Sequence, residues 1–119
     1  MVLVDTSVWI SHLRLGEPRL QNLLHKTRVC CHPVIINELA CGTLKNRNQI
    51  LSLLQALPHV NTISHEELLI LIERHQFMGK GLGYVDISLL GSALISDCLL
   101  WTMDKALRQA AIELGVEYE

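Results

Sequence analysis

Short apolar runs alternate along this chain with longer stretches in which apolar residues recur every three or four positions. The short runs, at 2–4, 29–32, 60–63, 98–102 and 116–118, predict buried β-strands, and the longer stretches predict amphipathic helices. Helices are expected over 5–13, from Gly16-Glu17-Pro18 to about residue 26, from Pro33 to Gly42, over 48–57, from Ser64 to Gly79, over 85–96 and over 105–114. Pro33 suits a first helical turn, and Pro58 stops the helix before it. Ser64 with Glu67 three residues on is a capping box, the clearest local signal in the chain. Gly79, Gly81 and Gly83 predict a flexible loop, and the small run Gly91-Ser92-Ala93 predicts a helix face on which another element sits closely. Strands alternating with helices imply a three-layer α/β/α sandwich around a mainly parallel sheet of four to five strands.

Composition narrows the class. A chain of 119 residues, half of them apolar, suffices for one domain spanning 1–119 without metal or disulfide staples. No uncharged apolar run approaches the roughly 18 residues of a membrane span and no export signal is visible, so a cytoplasmic protein with no membrane partner is expected. The four cysteines, at 30, 31, 41 and 98, include no CxxC pair and read as reduced core residues. The six histidines show no ligand spacing. Trp9 and Trp101 read as core, which leaves little aromatic surface for stacking bases.

The candidate chemistry lies in carboxylates. In open α/β sheets the ligand site forms beyond the carboxyl ends of the strands. Asp5 and Asp104 each follow a strand directly, Glu38 lies within about a turn and a half of helix after the second strand, and Asp86 falls in the first turn after the glycine loop. Taken singly, each has an ordinary explanation: Asp5 and Asp104 as helix caps, Asp86 as a partner of the helix dipole, Glu38 as a solvated side chain. Taken together, four acids at equivalent ends of one sheet supply hard oxygen ligands for Mg²⁺ or Mn²⁺. Such a cluster is unfavourable without cations, because like charges repel. Ser7 and Thr102, each two residues from one of these aspartates, are candidates to orient the carboxylates.

The net charge of −2 argues against a nucleic-acid partner only until those acids are set aside. The remaining 8 carboxylates face 10 Lys and Arg. Lys80, Lys105 and Arg108 are the candidates to meet phosphates, with Lys45 and Arg47 more distant.

The segments VLVDTSVWI, NELACG, GKGLGYVDISLLGSAL and LLWTMDKAL occur in an order and spacing that resembles the PIN-domain family, and in particular its short VapC-type toxins of bacterial toxin-antitoxin pairs. The resemblance covers nearly the whole chain. It implies an endoribonuclease using Mg²⁺ or Mn²⁺, with Asp5, Glu38, Asp86 and Asp104 as the acidic quartet that binds metal and carries catalysis. It further implies an RNA substrate, a homodimer, and a cognate antitoxin that blocks the site. Two rivals stand beside it. A haloacid-dehalogenase-like phosphohydrolase would want an acid where Ser7 stands, and a non-catalytic partner-binding α/β module would use the same acids only as caps.

Overall fold

Three parallel strands form the centre of the computed structural model, which describes every residue from Met1 to Glu119. They are β1 (Val2–Val4), β2 (Val29–Cys30) and β3 (Leu99–Trp101), in the order β2-β1-β3, with Leu3 opposite both Cys30 and Leu100. All three residues of β1 are buried. That is why this strand reads as a continuous apolar run: parallel strands are covered on both faces.

The helices are α1 (Thr6–Leu15), α2 (Pro18–His25), α3 (Pro33–Ala40), α4 (Arg47–Ala56), α5 (His65–His75), α6 (Tyr84–Ile95) and α7 (Lys105–Leu114). From β1 the chain steps outward to β2, then returns past β1 to β3. Right-handed crossovers place helices on opposite faces when the direction of travel reverses. Accordingly α3 packs with α1 and α4, while α6 packs with α5, α7 and β3.

The sheet is smaller than the four to five strands expected from sequence. The 60–63 run is reduced to a bridge between Cys31 and His59, and the 116–118 run to one between Leu100 and Glu117, both parallel. At the first edge Cys31 exchanges hydrogen bonds with Pro58 O and Val60 N, and the N–H of Asn61, on the side away from β2, donates to Ser96 Oγ at 2.9 Å. At the other edge Leu100 uses both its N–H and its carbonyl on residues 116 and 118. Both segments still flank the sheet in parallel, so the architecture stands with ragged edges.

Two local features follow the sequence closely. Ser64 and Glu67 exchange both capping-box bonds, at 3.2 and 3.0 Å. Gly91 receives Ile63 so closely that a Cβ there would lie 2.6 Å from Ile63 Cδ1. The helix before the glycine loop stops four residues early. Gln76 turns left-handed at φ 55, and Phe77 N–H returns to Ile72 O while its ring enters the core.

Candidate active site

The reversal of direction at β1 creates a crevice between β1 and β3, where one strand sends its chain to one face and its neighbour to the other. Asp5 and Asp104 stand on the two sides of it. Asp5 directly follows Val4, and its N–H donates to Trp101 O at 2.9 Å, so its backbone is fixed to the neighbouring strand.

The Asp5 side chain rejects the ordinary explanation. It makes no capping bond to α1. Instead Oδ2 accepts the hydroxyl protons of Thr102 at 2.7 Å and Ser7 at 2.9 Å. Each hydroxyl is itself aimed by a backbone donor, since Met103 N–H donates to Ser7 Oγ and Asp104 N–H to Thr102 Oγ1, both at 3.1 Å. With both protons committed to Oδ2, Oδ1 accepts from no protein group. The residue is only 8% exposed and pairs with no Lys, Arg or His. A buried carboxylate without a cation is unfavourable, and this one is built in by four hydrogen bonds.

The other acids are arranged differently. Asp104 caps α7, accepting Leu107 N–H at a long 3.4 Å, and it is exposed. Asp86, in the first turn of α6, accepts Gly83 N–H at 3.0 Å. Its pKa is raised, chiefly by burial, against the lowering effect of the Gly83 bond, and further by the charges of Asp104 and Asp5. Three acids from distant parts of the sequence therefore share one electrostatic field. Glu38 is exposed on α3, where Thr6 Oγ donates to its Oε1 at 2.6 Å. Thr6 adjoins Asp5, so this bond ties the fourth acid to the same corner. Sequence reasoning did not single out Thr6; its signal was only a hydroxyl on the residue after the strand-end aspartate.

As placed, no three His, Cys, Asp or Glu side chains meet closely enough to hold an ion. The acids border the crevice without closing into a cage, consistent with like charges that repel. The donor set nonetheless fits Mg²⁺ or Mn²⁺. It consists of hard carboxylate oxygens, those of Asp5 on a residue only 8% exposed and without a cationic partner, with hydroxyls in support.

The three candidate phosphate contacts part company. Lys80 faces Glu113 at 3.8 Å, well along α7 from Asp104, and Arg108 Nε donates to Glu117 Oε1 at 2.7 Å. Lys105 is exposed, forms no ion pair and directly follows Asp104. Lys45 lines a separate hollow with Arg14, Thr43 and Asn46, and Arg47 is hydrogen-bonded to Ala40 O.

Compared with known families, residues 2–113 match the PIN domain. The chain belongs to the PIN domain family. This PIN domain is 49% identical over 117 residues to a protein named Ribonuclease VapC32 from Mycobacterium tuberculosis, in strain CDC 1551 / Oshkosh and again in strain ATCC 25618 / H37Rv. Each alignment covers 98% of this chain and 94% of the relative. The match to the PIN domain spans all four acids, both hydroxyls that hold Asp5, and Thr6.

Proposed function

We propose that this chain is a divalent-metal-dependent endoribonuclease, the toxin component of a VapC-type toxin-antitoxin pair. The observation that carries the reading is Asp5. Its carboxylate is buried, held by two hydroxyls, free of any capping bond, and set in the same field as Asp86 and Asp104. The near full-length likeness to proteins named as ribonucleases supports RNA as the substrate.

Mg²⁺ or Mn²⁺ held by Asp5, Glu38, Asp86 and Asp104 would supply Lewis acidity toward a phosphodiester and the attacking water. The chain's own residues prepare that arrangement. Ser7 and Thr102 fix the Asp5 carboxylate, Thr6 fixes that of Glu38, and the Asp86 carboxyl, its pKa raised chiefly by burial and further by the charges of Asp104 and Asp5, would be favoured as a carboxylate by a bound cation. Lys105 is the cation best placed to meet a substrate phosphate. A cognate antitoxin protein and a homodimer complete the reading. Exposed Leu69, Ile70, Leu94 and Ile95, apolar side chains on α5 and α6, support a protein contact there. No helix is long and apolar enough to cross a membrane, and a cytoplasmic location fits the reading.

One observation favours a non-catalytic module: Asp104 and Asp86 each make a capping bond. Incubation with total cellular RNA, with and without chelator, separates the two. The nuclease reading expects discrete cut ends that vanish with chelator and in Asp5→Asn. Intact RNA under all conditions, together with equal Mn²⁺ titration heats for wild type, Asp5→Asn and Asp104→Asn, would establish the module.

A further inference from the structure

Folding commits several basic side chains and leaves others free. Lys80 and Arg108 are set against Glu113 and Glu117, Arg47 donates to Ala40 O, and Arg19 donates to Glu119 O while covering the Trp101 ring. Arg14 and Lys45 are exposed and form no ion pair. They meet at one hollow of about 600 Å³, lined also by the polar side chains of Thr43 and Asn46 and by no Asp or Glu. A concavity lined by one sign of charge focuses its field and concentrates the opposite ion.

Taken singly, each cation has an ordinary explanation. Arg14 lies in the last turn of α1, where a positive charge suits the helix dipole, and Lys45 is solvated. The place of the hollow says more. Glu38 is bonded to Thr6, the first residue of α1, and α3, which carries Glu38, packs on α1. Leu13, part of the hollow's wall, follows Thr6 by seven residues, close to two full turns, so it lies on the same face about 10 Å along the axis. Ile10, 42% exposed, stands between, one i,i+4 step from Thr6 and another from Arg14. On the neighbouring helix, α3 ends at Ala40, two residues after Glu38, and the loop bearing Thr43, Lys45 and Asn46 follows directly. Both helices therefore lead from the Glu38 corner to the hollow.

We infer that Arg14 and Lys45 hold the backbone of the RNA substrate at a phosphate a few nucleotides away from the cut. This rests on the ribonuclease reading above. Contacts of this kind add affinity and set the register of the strand without reading its bases.

The test follows a fluorescein-labelled RNA oligonucleotide by anisotropy across a KCl series. It uses the Asp5→Asn protein in chelator, so that no RNA is cut and K⁺ is the only competing cation. Arg14→Gln combined with Lys45→Gln should flatten the slope of log affinity against log salt by about 0.7 or more, and weaken binding about fivefold or more near 0.1 M KCl. Arg14→Lys combined with Lys45→Arg, which keeps both charges, should keep slope and affinity. Lys26→Gln combined with Arg28→Gln removes the same charge from exposed positions just before β2, at the opposite edge of the sheet, and should leave the slope as it was. With Asp5 restored and Mn²⁺ present, Arg14→Gln with Lys45→Gln should raise KM and leave kcat. Equal slopes in the two glutamine double variants overturn the proposal, because the effect would then be net charge alone. Loss of self-association with RNA affinity intact also overturns it and assigns the hollow to a protein contact. Either result leaves the ribonuclease reading standing where RNA is still cut, whereas neither binding nor cleavage with both cations present sinks that reading, and the proposal with it.

Discussion

The sheet buries titratable groups on both sides, and treats them in opposite ways. Toward its amino edge Cys30 and Cys98 meet with sulfurs 3.6 Å apart, beside Met1 and His59. Burial first, then the neighbouring thiol, pushes Cys30 up to about 12; burial also pushes Cys31, just past the carboxyl end of β2, up to about 11. Nothing there is organised to stabilise a thiolate. At the carboxyl edge Asp5 is buried to a similar degree, yet two hydroxyls donate to one of its oxygens and two backbone N–H groups aim those hydroxyls. Burial alone keeps a group neutral and inert, whereas burial with oriented donors keeps a charge in place for use.

The sharpest way to break this contrast is Asp5→Asn. Removing a residue that merely supports a metal ligand already costs about 10–100-fold in affinity or activity, so removing Asp5, the proposed central ligand, should cost more than about a hundredfold in RNA cleavage. Melting in chelator should change little, because the substitution also removes an unpaired buried charge. An Asp5→Asn protein with near wild-type cleavage would mean that the carboxyl edge is as inert as the thiol edge.

Next comes the support. Thr102→Val removes the 2.7 Å donor to Asp5 and also the acceptor of Asp104 N–H. Mn²⁺ affinity, measured calorimetrically, should fall about 10–100-fold. Thr102→Ser, which keeps the hydroxyl, should recover most of it. If valine and serine bind alike, the hydroxyl is not what orients Asp5.

The thiol edge should show the converse behaviour. Cys41, expected in the core, is instead exposed at the C-cap of α3, so it alone should react promptly with an aromatic disulfide reagent in the folded protein, with Cys30, Cys31 and Cys98 following only on unfolding. Because the folded Cys30 and Cys31 values lie above the ordinary 9.0, the stability they contribute is fully present below pH 9 and is lost as pH rises through about 11 to 12. Prompt reaction of two or more thiols at neutral pH would show that this edge opens readily.

How much of this was legible in the sequence depends on distance along the chain. An apolar run that stops at an aspartate fixes which residue ends a strand, so Asp5 and Asp104 were readable as members of one edge. A cap that closes within four residues, as at Ser64, is readable for the same reason. What sequence could not supply were partners set by tertiary packing. The Thr6 bond to Glu38 joins residues 32 apart, and the Asn61 N–H bond to Ser96 Oγ joins residues 35 apart. Lys80 and Arg108 carry charges that spacing assigned to phosphate, but the fold sets Glu113 and Glu117 against them. The early end of α5 is a tertiary override of the same kind, since burying Phe77 outweighs the left-handed turn at Gln76.

The smallest expected effect tests whether repulsion is stored at the carboxyl edge. Asp86 has a raised folded pKa, so its contribution to the stability of the metal-free protein is fully present below the ordinary carboxylate value and is lost as pH rises through the raised one. Glu67 acts in the opposite sense: the Ser64 bonds lower its pKa, so its contribution is lost as pH falls. The two must be separated by comparison with Asp86→Asn. In chelator, the melting temperature of wild type relative to Asp86→Asn should decline as pH rises from the ordinary carboxylate value through the raised one. Millimolar Mg²⁺ should raise the wild-type melting temperature more above the raised Asp86 value, where the carboxylate is ionised, than below the ordinary carboxylate value, because binding of a ligand to the folded state alone stabilises it. A wild-type curve parallel to that of Asp86→Asn across this range, with or without Mg²⁺, would mean that Asp5, Asp86 and Asp104 do not share a field strong enough to matter.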